Sequence, residues 1–266
     1  MKKFVLALAT VAVFSGSAIA ADMAPAYTKA PAMPAPVYNW TGFYLFGGIG
    51  YGLWEADTFT ANSVTGVCNL CITQRQGGRG WYGTFGGGYD WQFGGNWVAG
   101  ILADGQFGSI SGTIQDQGPF SVGNEKLQDT WAVGARIGYL VAPNVLSYIN
   151  GGWTASHWSG TTLVSSFVGA PFGPPGVHTN SFDINSGWFL GGGVENSLNI
   201  FGITAPGLFM KTEYRLAEFN NHTISQLSDA TGLPVFSDIH FKPFVQTIST
   251  SLVYRFNWGG PVVAKY

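Results

Sequence analysis

The sequence predicts an all-β protein, an eight-stranded antiparallel transmembrane β-barrel of up-and-down meander topology with long extracellular loops. Three observations lead there. The first is period-two alternation, plainest at Gln246–Phe256, where Phe256, Tyr254, Leu252, Thr250 and Ile248 alternate with Arg255, Val253, Ser251, Ser249 and Thr247. That period places one set on each face of a strand, and a run of this length suits a tilted strand crossing a bilayer. The second is composition: 10% charged, 15% aromatic and 39 Gly, where a soluble domain carries about 25% charged residues. No segment beyond the N-terminus is long and apolar enough for a transmembrane helix, and in lipid only helices and closed barrels satisfy the backbone. The third is that long and short connections take turns along the chain, as long external loops and short periplasmic turns do.

The N-terminus has the form of a secretory signal peptide. Lys2 and Lys3 form a basic start, Phe4–Phe14 an apolar run too short to span, and Ser17-Ala18-Ile19-Ala20 a small-residue cleavage site. Cleavage is expected after Ala20, with Ala21 the alternative. Residues 21–39 carry Pro25, Pro31, Pro34 and Pro36 among alanines, which makes them an extended periplasmic linker. The barrel is assigned to 40–256 and a C-terminal tail to 257–266. Without Lys2 and Lys3 the chain has ten Lys and Arg against fourteen Asp and Glu, a net charge of −4. With no basic patch, nucleic-acid binding has no support.

The strands follow in order. Leu45–Trp54 is the first, with aromatics at its ends, and 55–79 a polar loop holding both cysteines. Gly80–Phe93 sets Trp81, Phe85, Tyr89, Trp91 and Phe93 against Tyr82, Thr84, Asp90 and Gln92. After the turn Gly94-Gly95-Asn96, Trp97–Ile110 sets Ala99, Ile101, Ala103 and Phe107 against Asp104 and Gln106; a loop over Ser111–Lys126 follows. Leu127–Leu140 sets Trp131, Val133, Ala135, Ile137 and Tyr139 against Thr130, Gly134 and Arg136. Ala142-Pro143-Asn144 turns into Val145–Ser156, whose facing the pattern leaves open. His157–Asn185 is a long Gly, Pro and Ser-rich loop. Ser186–Asn196 puts Trp188, Leu190 and Val194 opposite Phe189 and Glu195, and a link at 197–207, long for a periplasmic turn, leads on. Leu208–Phe219 opposes Leu208, Met210, Thr212, Tyr214 and Leu216 to Lys211, Glu213 and Arg215. The last loop runs to about Pro243, and Gln246–Phe256 closes the barrel. A secreted β-sandwich, the soluble competitor, needs polar outer faces, where these strands show Trp, Tyr and Leu.

N-W-T-G-F-Y at 39–44, G-G-I-G-Y at 47–51, K-T-E-Y-R at 211–215 and the L-V-Y-R-F that ends at Phe256 resemble the small outer-membrane β-barrel proteins of alphaproteobacteria, the opacity-protein-like surface antigens also called porin family proteins. The resemblance covers 39–266. It implies an eight-stranded barrel in the outer membrane of a Gram-negative cell, with the lipid bilayer as its surroundings, the barrel assembly machinery as its partner during biogenesis, and a structural or surface-antigen role. Such barrels end on an aromatic residue that signals assembly; here Phe256 is followed by N-W-G-G-P-V-V-A-K-Y, so Phe256 and Tyr266 both stand as the signal. Some proteins of this kind are joined to peptidoglycan through an N-terminal alanine, and some bind haemin. The resemblance therefore makes Ala21 a candidate attachment point and the loop histidines, His157, His178, His222 and His240, candidate haem ligands, although no spacing singles out a site.

The inward set bears on whether the lumen conducts. Arg136, Lys211, Arg215 and Arg255 face Asp104, Glu195 and Glu213, with Asp90 near the periplasmic rim. An eight-stranded barrel is just wide enough for its own side chains, and an unpaired buried charge is costly, so a salt-bridged plug is expected in preference to a narrow ion path. Cys68-Asn69-Leu70-Cys71 has neither the strand-helix context of a redox motif nor a following His for haem attachment. In an exported chain it reads as a small loop disulfide, Cys68 with Cys71. His157-Trp158-Ser159 echoes the His-x-Ser of outer-membrane lipid A deacylases, but the sequence shows no orienting acid beside it. The glycine triplets at 86–88 and 191–193 lie inside strands, where glycine relieves crowding. The expectation is a non-enzymatic, monomeric outer-membrane barrel of the cell envelope, without cofactor or metal and with a peptidoglycan tether as a further possibility. The alternatives are a narrow small-solute or ion channel and a haemin-binding surface receptor.

Overall fold

A computed structural model describes residues 38–68, 72–116, 121–165, 176–200 and 203–256. The stretch expected as a signal peptide, most of the expected linker with Ala21, Cys71 and the expected tail with Tyr266 lie outside the described residues. Among the described residues there are eleven strands: β1 (Gly42–Ala61), β2 (Gln74–Phe93), β3 (Trp97–Asp116), β4 (Ser121–Ala142), β5 (Val145–Trp158), β6 (Thr162–Ser165), β7 (Val177–Thr179), β8 (Phe182–Ile200), β9 (Ile203–Phe219), β10 (His222–Ser228) and β11 (Pro234–Phe256).

Eight of them, β1-β2-β3-β4-β5-β8-β9-β11, pair antiparallel in succession, and β11 returns to β1 to close the ring. One cross-strand row, followed through Phe43, Tyr89, Ile101, Ala135, Gly151, Leu190, Leu216 and Gln246, re-enters β1 at Leu53, ten residues beyond its start. That stagger in a ring of eight corresponds to a strand tilt of about 40°. Closure leaves no unpaired edge, which is the condition for a sheet in lipid.

The eight strands predicted from the pattern are those of the ring, but they run further. Of the stretches expected as loops, 55–61 and 74–79 belong to β1 and β2, 111–116 and 121–126 to β3 and β4, and β11 begins at Pro234 where a loop was expected to about Pro243. The link expected at 197–207 is a hairpin in which β8 runs to Ile200 and β9 starts at Ile203. Its pairing slips between Ser197 and Asn199, and that irregularity obscures the alternation. The long external arms form part of a second ring. Where β5, β8 and β9 end, β6, β7 and β10 take their places: β4 pairs with β6, β6 with β7, β7 with β10 and β10 with β11. The outer part is thus also closed, in the order β11-β1-β2-β3-β4-β6-β7-β10.

The strands reverse their chemical sidedness between the two rings. In the lower ring of β11, Thr247, Ser249 and Ser251 point inward while Ile248, Leu252 and Tyr254 face outward. In its upper part Ile239 and Phe241 are inside and His240 and Lys242 outside. β1 does the same, with Ile49 and Leu53 outward below and Trp54 and Ala56 inward above, beside outward Glu55 and Asp57. The outward surroundings explain the switch: lipid accepts the apolar side below, and water accepts the polar side above. Inside the upper ring Trp54, Trp158 and Phe241 stack edge to face, with centroids 4.9 to 5.7 Å apart, and Trp54 Nε1 donates to the Ile110 carbonyl at 2.9 Å.

Candidate functional site

Outward-facing aromatics mark the membrane band. Phe43, Tyr89, Trp91, Trp97, Tyr139 and Tyr254 form the girdle at the short-turn end, and Tyr51, Trp81, Trp131, Trp153, Trp188 and Tyr214 the girdle at the long-arm end. On β2 the ten residues from Trp91 to Trp81, at about 3.4 Å each and a tilt of about 40°, give a band of about 26 Å, the height of an outer-membrane barrel's apolar belt. The polar tips of the outer girdle are engaged: Trp131 Nε1 donates to Asp129 at 3.0 Å, Trp153 Nε1 to the Asn185 carbonyl at 2.9 Å and the Tyr214 hydroxyl to Gln246 at 2.6 Å.

The lumen holds a two-tier ionic belt. In the lower tier Arg136 donates from Nε to Asp90 at 2.9 Å, from Nη2 to the other Asp90 oxygen, and from Nη1 to Glu195 at 3.3 Å. Arg255 meets the same two acids, Glu195 at 2.6 Å and Asp90 at 2.8 Å, so two guanidinium groups and two carboxylates form one closed set. In the upper tier Arg215 binds both oxygens of Asp104 at 2.8 Å and reaches Glu213 at 2.8 Å. Lys211 lies 3.7 Å from Glu213, which also accepts from the Tyr148 hydroxyl at 2.8 Å and Asn150 at 2.9 Å. Four cations face four carboxylates, and none of the eight side chains is more than 7% exposed.

Aromatic rings seal the belt. Arg136 sits over Tyr44 at 4.2 Å, Lys211 over Phe46 at 3.3 Å, Arg215 over Phe189 at 4.4 Å and Arg255 over Trp40 at 4.3 Å. Trp40 and Tyr38 precede β1 and pack on Phe209 at 5.0 and 4.8 Å, beneath the lower tier. Glycine makes room for these rings. A Cβ on Gly88 would lie 2.5 Å from the Tyr44 hydroxyl, and one on Gly193 2.8 Å from that of Tyr148.

All seven expected lumen charges, Asp104, Arg136, Glu195, Lys211, Glu213, Arg215 and Arg255, meet in this belt. Asp90, expected near the rim, is a central member with no exposed surface. Tyr148 and Asn150 were missed because the glycine pair 151–152 hides the alternation of β5. Cys68 is disulfide-bonded, and Cys71 lies outside the described residues. An acid does face His157: Asp183 accepts at 2.5 Å, brought across the β5–β8 pair. The sequence hid it because the two are 26 residues apart. The Ser159 Oγ, however, is buried without a hydrogen-bond partner, so the His-Ser contact of a hydrolase is not formed. His178 pairs with Asp229, His222 stacks on Phe182 and His240 on Phe59. Among the described residues no three His, Cys, Asp or Glu side chains converge as metal ligands.

Above the band, Glu125 is fully buried in the upper ring; one carboxylate oxygen accepts from the Lys126 main chain at 3.3 Å and the other has no partner. Loss of hydration pushes its carboxyl up to about 8, against the smaller opposing effect of the Lys126 N–H.

No protein-family model matches this chain. It is 26% identical over 266 residues to the 31 kDa outer-membrane immunogenic protein of Brucella melitensis, covering 96% of this chain and all of that protein, and equally to its counterpart in Brucella suis. The chain is an outer-membrane β-barrel protein. It resembles the small outer-membrane barrels of alphaproteobacteria along nearly its whole length. Among solved structures, this outer-membrane barrel is 10% identical to OprG of Pseudomonas aeruginosa, with 82% of this chain and 98% of that one covered and a TM-score of 0.46. It is 12% identical to Ail of Yersinia pestis, with 80% and 99% covered and a TM-score of 0.33.

Proposed function

We propose that this outer-membrane barrel is a non-enzymatic structural protein of the cell envelope that does not conduct, holds a surface-antigen turret above the membrane and is tethered to peptidoglycan through Ala21. The observation that carries this reading is the filling of the lumen: an aromatic plate, a charge-balanced belt and an apolar core succeed one another along its axis. Such filling suits a rigid anchor and works against a solute path, because ions would have to break paired charges that water does not reach. The closed outer ring supplies a fixed surface for display, in keeping with the immunogenic character named for the Brucella relatives. A proline-rich linker at 21–39, if extended at about 3.1 Å per residue, would reach on the order of 60 Å.

The test is mass spectrometry of muropeptides released from detergent-washed sacculi. An N-terminal peptide that starts at Ala21 and carries a peptidoglycan stem is the expected result. Only free amines at that position, at full coverage, would remove the tether and leave anchoring and display.

A further inference from the structure

Six of the lysines and arginines among the described residues have partners: four in the lumen, Arg75 with Glu55 at 3.1 Å and Lys242 with Glu218 at 2.8 Å. The remaining two, Arg79 and Lys126, are exposed and make no side-chain hydrogen bond or ion pair. They are neighbours in one cross-strand row: Arg79 of β2 is opposite Ser111 of β3, and Ser111 is opposite Lys126 of β4. Two strand spacings put their Cα atoms about 10 Å apart. Arg79 is the next outward-facing position beyond Trp81 of the outer girdle, two residues and about 7 Å along the strand, which is the depth of lipid headgroups. The row climbs from β2 to β4 with the barrel's stagger, so Lys126 stands a few ångströms higher.

A hollow of about 370 Å³ opens next to this row, lined by Gln74, Arg75, Gln76, Gly77, Thr113 and Gln115. It exists because the regular β2–β3 ladder ends at Gly77 and Thr113. Beyond that point the Gln76 side chain takes over, donating to the Gln115 carbonyl at 3.0 Å and accepting from its N–H at 2.9 Å, and Gly77 leaves the floor open. Nearby carboxylates are occupied: Glu55 by Arg75, Asp129 by the Trp131 indole, while Asp57 lies between Arg75 and Lys242 in the strand register.

We infer that the outward face of β2–β4 just beyond the outer girdle binds the phosphorylated sugar headgroup of the outer-leaflet glycolipid. Arg79 and Lys126 take the phosphates, and the Gln115 amide and Thr113 hydroxyl at the hollow take the sugar. Cations at headgroup depth that the protein leaves uncompensated complement an anionic lipid, and each contributes about 1 kcal/mol at such a surface. The inference rests on the barrel's place in the outer membrane and is independent of the tether.

The experiment titrates the folded full-length barrel in neutral detergent with purified bis-phosphorylated lipid A, read by native mass spectrometry. Removing both cations in R79Q/K126Q is expected to weaken binding about 10–30-fold. Lys242→Gln, which lies outside the row, should stay within about twofold, and enzymatically dephosphorylated lipid A should bind wild type as weakly as the phosphorylated lipid binds the double variant. Heat-modifiable migration on gels verifies that each variant is folded. Equal binding by wild type and the double variant, or by phosphorylated and dephosphorylated lipid, would overturn the site. Displacement of the lipid by inorganic phosphate at equal concentration would overturn the lipid assignment in favour of a free anion.

Discussion

Replacing Arg255 with methionine tests whether the ionic belt is dry. The change deletes bonds to Glu195 at 2.6 Å, Asp90 at 2.8 Å and the Trp40 carbonyl at 3.3 Å. Asp90 and Glu195 are then left facing Arg136 alone, two carboxylates on one guanidinium, with all three side chains at most 2% exposed. Breaking one partner out of a buried set costs about 3–5 kcal/mol, because the surplus charge keeps its desolvation penalty. With an m-value of about 3 kcal/mol/M, the urea midpoint falls by about 1–2 M. Adding Asp90→Asn removes the surplus acid and leaves the Arg136–Glu195 pair at 3.3 Å intact, so D90N/R255M is expected to recover at least about 2 kcal/mol against the sum of the single changes. Equilibrium unfolding in micelles, followed by tryptophan fluorescence, reads all four corners of the cycle. A cost below about 1 kcal/mol for R255M together with additive singles would refute the reasoning, since that is the behaviour of solvated charges.

Two further outcomes follow from the upper ring. Glu125 has a folded-state value of about 8, above the ordinary carboxylate value. Its contribution is therefore whole at pH 4 and is lost as pH rises through 8, a decline on the order of a few kcal/mol; Glu125→Gln should flatten melting temperature against pH between 5 and 9, and an unchanged slope would assign the effect elsewhere. Trp54→Ala should cost about 3–5 kcal/mol, measured by urea unfolding, because it empties the ring cluster with Trp158 and Phe241. Trp54→Phe should cost about 1–3 kcal/mol, chiefly by leaving the Ile110 carbonyl without its indole donor.

The lower ring was legible because lipid outside and packed polar groups inside impose opposite chemistry on alternate residues, as at Ile248 and Ser249. The upper ring was not, although the same period continues in it. Glu55 and Asp57 outside with Trp54 and Ala56 inside follow the rule of a water-soluble barrel, so a search for lipid-facing apolar residues stops at the girdle and names the remainder loop. β6 and β7 are four and three residues long, too short to show a period. The charges of the lumen could be named in advance from their parity within each strand. Their partners could not: Arg215 and Asp104 are 111 residues apart, and which acid meets which cation is set by ring closure and stagger. Asp90 shows the limit, since its depth depends on where the lower girdle falls and on Trp40 folding in beneath it.

The central claim is that the lumen is closed, and planar-bilayer recording of the folded full-length protein tests it most directly. The structure predicts a flat baseline, without unitary steps, across about ±100 mV in molar potassium chloride. Regular conductance steps that scale with salt, and whose ion selectivity changes on Arg136→Gln, would contradict it and establish a conducting path through the belt.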